Sequence, residues 1–91
     1  MDYSAIPEHM RDGARRYVEH GIMPGNFLTA VLENRLVGAF HRADEKNLAA
    51  MGDWAMWLFC ELPGNAWGSP EKVRAWCRDV QEREQAEAPV A

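Results

Sequence analysis

The side chains with the most chemical potential in this chain are Arg11, Arg15 and Arg16, three guanidiniums within six positions of one another. Arg11 and Arg15 are one helical turn apart and share a side of any helix that carries them. Such a cluster suits recognition of a carboxylate or phosphate, which the planar fork of Arg contacts through paired hydrogen bonds. The simpler reading is a solvated face partly neutralised by Asp12 and Glu19. Other chemistries find little support. His9, His20 and His41 are far apart, and neither Cys60 nor Cys77 has a Cys or His at ligand spacing, so no metal site is expected. Cys60 and Cys77 fall in apolar helical patterns where a thiol is packed and inert, and Ser69 reads as a helix cap rather than a nucleophile. No catalytic residue and no cofactor is assigned.

Two loops add to the Arg cluster as candidate contacts. Gly21 to Asn26 and Gly64 to Ser69 both run into helix starts, where free N–H groups can meet an anion, but neither holds the Lys of a phosphate-binding loop. Pro24 and Asn26 mark the first loop. Trp67 marks the second, lying off any apolar stripe, and either plugs the core from outside or projects as an anchor for a partner.

These residues must be positioned by a small fold. The chain has 91 residues, enough for one domain with a thin core, although four Trp, three Phe and two Tyr supply aromatic mass beyond the usual. A domain so small and so aromatic is a candidate for self-association, and a homodimer is among the expected states. Fourteen acidic and ten basic side chains give a formal charge of −4, which opposes nucleic acid. A helix-turn-helix arrangement is weighed because Lys72, Arg74 and Arg78 fall on the last helix, but Glu71, Asp79, Glu82 and Glu84 crowd them. No stretch has the length and apolarity of a membrane span, and the N-terminus lacks the pattern of a signal peptide. A cytoplasmic location is expected.

The pattern predicts an all-α fold, a compact bundle of four or five short helices over residues 1–85, with 86–91 as a disordered tail. Pro7 opens a first helix that Gly21 ends. The apolar run Gly21 to Phe40 is the expected centre of packing, formed as one helix or as two meeting near Asn34. Asp44 caps a third helix over about Glu45 to Glu61, whose inward face is read as Leu48, Met51, Ala55, Leu58 and Phe59, with Trp54 and Trp57 widening it. Ser69, Pro70 and Glu71 start the last, which turns Val73, Trp76, Cys77 and Val80 inward.

Three strings, Ile6-Pro7-Glu8-His9-Met10, Gly21-Ile22-Met23-Pro24-Gly25-Asn26-Phe27-Leu28-Thr29-Ala30-Val31-Leu32 and Trp67-Gly68-Ser69-Pro70-Glu71 with Trp76 following, resemble a group of short uncharacterised proteins of tailed phages and prophages. The resemblance spans most of residues 6 to 76 and carries over no catalytic or binding residue. It implies a context, a small accessory protein in a bacterial host. The expected function is therefore non-enzymatic: binding and modulating a host protein, host defence included, through Arg11, Arg15, Arg16, Pro24, Asn26 and Trp67. The alternatives are sequestration of an anionic nucleotide-type signal molecule and a small DNA-binding regulator.

Overall fold

The structure is a computed structural model that describes residues 1–87. Among these residues the chain forms six helices and no strand: α1 (Glu8–His20), α2 (Asn26–Leu32), α3 (Leu36–Arg42), α4 (Glu45–Ala49), α5 (Met51–Glu61) and α6 (Pro70–Glu87). The all-α class is as expected, and the apolar run takes the two-helix form; the count exceeds four or five because the helix expected over Glu45 to Glu61 is broken. At Asn34 the chain turns a true corner with φ 61°, a left-handed conformation that Asn tolerates better than most side chains. At Ala50, with φ −101° and ψ 13°, α4 ends and α5 begins.

Local chemistry accounts for three helix ends directly. The Asp44 carboxylate accepts from the Asn47 N–H at 2.7 Å, and the Ser69 hydroxyl accepts from the Lys72 N–H at 3.2 Å. Gly21 ends α1 in the left-handed region at φ 67°, with its N–H on the Tyr17 carbonyl and the Ile22 N–H on that of Arg16. The last helix runs through Glu87, further than the loss of its apolar stripe after Val80 suggested. Ala86 and Glu87 thus belong to a helix rather than a tail, and the rest of the expected tail, 88–91, lies outside the described residues.

The core is aromatic and runs as a chain of contacting rings. Tyr3 tilts against Trp57 with centroids 6.1 Å apart, Trp57 meets Trp54 edge-on at 5.7 Å, and Trp54 meets Phe27 edge-on at 5.6 Å. Each buried indole N–H finds an acceptor, Trp54 on the Asn47 side chain at 3.3 Å and Trp57 on the Asp2 carbonyl at 3.2 Å. Leu28, Leu32, Tyr17, Ala14 and Val73 close the core from α2, α1 and α6.

Two faces expected inside are outside. On α5 the buried side chains are Trp54, Trp57 and Leu58, whereas Phe59 is 78% exposed and Ala55 is also at the surface, as is Leu48 on α4. Of the apolar run on α3 only Ala39 is buried, while Leu36, Val37 and Phe40 face outward. The expected centre of packing is accordingly confined to α2.

Candidate functional site

Helix α1 carries all three candidate arginines, and its packing gives each a different task. The stripe Ala14, Tyr17 and Val18 is buried, leaving the rest of the helix to line two adjacent clefts that share His9 and Asp12. Arg11 is spent on the chain's own lead-in: its Nε donates to the Ile6 carbonyl at 3.1 Å and a terminal nitrogen to that of Ser4 at 2.9 Å. Arg15 lies over the Tyr3 ring, 4.9 Å from its centroid, and pairs with Glu19 at 3.5 Å and Asp12 at 3.7 Å. The Tyr3 hydroxyl donates to the same Glu19 carboxylate at 3.1 Å. Burial, reinforced by that acceptor, pushes the Tyr3 phenol up to about 12.

The first cleft, about 560 Å³, lies beside Arg11, Arg15 and Lys46. It also holds Glu8, Asp12 and His9, and His9 meets the Asp44 carboxylate at 2.9 Å. The Asn47 N–H, with His9 adding to it, holds Asp44 below the usual carboxylate range. Arg15 and His9 are paired with carboxylates and Arg11 with backbone carbonyls, while Lys46 is exposed and forms no ion pair among the described residues. Ion pairs this exposed contribute little, so the cleft has the character of a solvated charged surface.

The second cleft, about 600 Å³, lies between α1 and the Gly21–Gly25 loop. Arg16 enters it from α1, Ile22, Met23 and Pro24 from the loop, and Leu28 closes it from α2. Arg16 is exposed and forms no ion pair among the described residues. Ile22 and Met23 are 48% and 47% exposed. The loop holds its shape through three contacts. The Thr29 hydroxyl donates to the Pro24 carbonyl at 3.2 Å, the Gln81 amide donates to that of Gly21 at 2.8 Å, and Cys77 Sγ lies 3.5 Å from Met23 Sδ. Burial pushes the Cys77 thiol up, in keeping with a packing role.

Of the six candidate residues, then, the structure brings Arg16 and Pro24 into one cleft, with Asn26 exposed at the adjoining start of α2. Arg11 and Arg15 line the neighbouring cleft, and Trp67 lines neither. Trp67 is half-buried and packs against the core, next to Ala66, whose carbonyl accepts the Tyr17 hydroxyl at 2.6 Å. Sequence reasoning overlooked Ile22 and Met23. They sit between a helix stop and a proline, off any periodic stripe, and only their apolarity within a loop marked them. Among the described residues no three His, Cys, Asp or Glu side chains are grouped to hold a metal ion, and no helix is long and apolar enough to cross a membrane. No protein-family model, curated protein or solved structure matches the chain.

Proposed function

We propose that this chain is a small, non-catalytic binding protein of phage type that engages a bacterial host protein through the cleft between α1 and the Gly21–Gly25 loop. The observation that carries the reading is Arg16, a guanidinium without a carboxylate partner among the described residues, set beside the half-exposed Ile22 and Met23. A cation flanked by two apolar side chains matches a protein segment that presents an acidic side chain next to apolar ones. Exposed Arg beside flexible Met is also a composition enriched at protein interfaces. The resemblance to short phage proteins supplies the host context, with a component of host defence as one candidate target.

Sequestration of an anionic nucleotide is less well supported. Arg11 is held by backbone carbonyls and Arg15 by carboxylates, which leaves Arg16 as the one uncommitted guanidinium of the cluster, and Asp12 also lines its cleft. DNA binding faces the net charge of −4. Quantitative capture from a bacterial lysate by the wild-type chain and by Arg16→Glu tests the proposal. A protein retained in stoichiometric amount by the first and lost by the second is the expected result, while calorimetric heat with a nucleotide that survives Arg16→Glu would displace it.

A further inference from the structure

Helix α5 carries apolar side chains on opposite sides, with only Asp53 and Glu61 charged, yet one half of it is bare. Opposite the buried Trp54, Trp57 and Leu58, the exposed residues Ala55, Phe59, Gly52, Met56 and Cys60 fall in an uncharged arc of about 140° at 100° per residue. Phe59 is 78% and Met56 59% exposed, forming a ridge. Beside the ridge runs an apolar groove of about 300 Å³ between α5 and α3, floored by Val31, Ala39 and Met51 and banked by Leu36 and Phe40. A side chain at Gly52 would meet nothing within 4 Å, so the face is open to close approach.

We propose that this face is covered by a second copy of the chain, the Met56 and Phe59 ridge of each protomer seated in the α3–α5 groove of the other about a two-fold axis.

Three observations select a second copy. The first is area. Leu36 and Phe40 on the groove bank and Met56 and Phe59 on the ridge are 46% to 78% exposed, and at ~100 Å² of accessible surface apiece they present roughly 400 Å² of apolar surface, within the range of the largest patch of a typical monomer. A standard dimer face is ~800 Å² per partner and ~65% apolar at its core, so this patch supplies most of the apolar core that one face requires. The second is self-complementarity: ridge and groove lie side by side on one protomer, and a two-fold axis running between them sets ridge into groove twice, as an isologous contact demands. The third is charge. Chains of net charge −4 repel unless their contact is uncharged or paired. The arc of α5 has no charge within it, and Asp53 stands at its edge away from α3. Of the charged side chains on the α3 side, Arg35 lines the groove and is paired with Glu33, and the exposed Arg42 forms no ion pair among the described residues, an opposite charge available to Asp53 of a second copy. A small ligand in the groove would leave Phe59 and Met56 bare.

Sedimentation velocity of the full chain, from low micromolar to submillimolar concentration and under reducing conditions that keep the exposed Cys60 from forming a covalent dimer, tests the assignment. The wild-type chain is expected at twice its 10.3-kDa mass. Phe59→Glu and Leu36→Glu, one on the ridge and one on the bank, are each expected to halve that mass, and Ile22→Glu, on the opposite cleft, to leave it unchanged. Helical circular dichroism verifies the fold of each variant, and Met56→Lys replaces any variant that loses it. A wild-type monomer throughout the range overturns the proposal, whether or not native mass spectrometry finds an apolar molecule bound to it. A dimer that survives both the ridge and the bank substitutions overturns it as well.

Discussion

A methyl group built on Gly21 would lie 2.6 Å from the Cys77 carbonyl oxygen, so α6 passes the end of α1 at a distance that only a residue without a side chain permits. This contact anchors the start of the loop whose Ile22, Met23 and Pro24 line the proposed binding cleft. From α6, the Trp76 indole joins the Gly21 N–H as a second donor to the Tyr17 carbonyl at 3.3 Å, and the Gln81 amide donates at 2.8 Å to the Gly21 carbonyl that the end of α1 leaves open. His20 and Glu84 pair further along.

Gly21→Ala is therefore expected to be among the most damaging single substitutions in the chain. It forces a left-handed conformation on Ala and drives its methyl into backbone, for a loss of about 3 kcal/mol. Urea unfolding measures it, and a loss below about 1 kcal/mol would mean that α1 and α6 can separate at little cost.

The Tyr17 hydroxyl donates to the Ala66 carbonyl at 2.6 Å inside the core. Tyr17→Phe leaves that carbonyl without its donor and is expected to cost about 1 to 2 kcal/mol in urea unfolding, with little change in helical content.

The same phenols set the alkaline limit of the fold. Burial holds Tyr17 far above the ordinary phenol value and Tyr3 at about 12. In the unfolded chain both ionise near 10, so folded-state stability is whole below about pH 10 and falls as the pH rises toward the folded values. On the acid side the sign reverses. Asp44 and Asp2 are held low by backbone N–H groups, of Asn47 and Ser4 respectively, so their contribution is present above about pH 4 and lost as the pH falls through their lowered values. Melting temperature against pH should show both shoulders, and Tyr17→Phe should shrink the alkaline one.

Trp67 separates core from contact. It packs against the core and lines neither cleft, so Trp67→Ala is expected to cost about 2 kcal/mol while partner capture by the folded fraction is retained. Loss of capture without loss of stability would return Trp67 to the binding surface.

Two helix starts and one helix end were legible because single residues specify them: Asp44 and Ser69 act through one oxygen each, and Gly21 through its freedom at positive φ. The facing of α5 was not legible. A helix with apolar side chains on opposite sides gives periodicity only a weak phase to detect, and long-range partners set its rotation: the Trp57 indole reaches the Asp2 carbonyl 55 positions away, and Trp54 reaches Asn47 across the break at Ala50. Arg16 was legible as a candidate, but what distinguishes it from Arg11 and Arg15 is the engagement of those two by Ser4, Ile6, Asp12, Glu19 and Tyr3, which tertiary packing decides.

The direct test of the binding cleft is the amount of host protein retained by equal quantities of folded wild-type chain, Arg16→Glu and Arg15→Ala from one bacterial lysate. A partner retained by the wild type and by Arg15→Ala but reduced at least tenfold by Arg16→Glu, a loss of about 1.4 kcal/mol in binding, is the expected result. Equal retention by all three would contradict the assignment of the cleft.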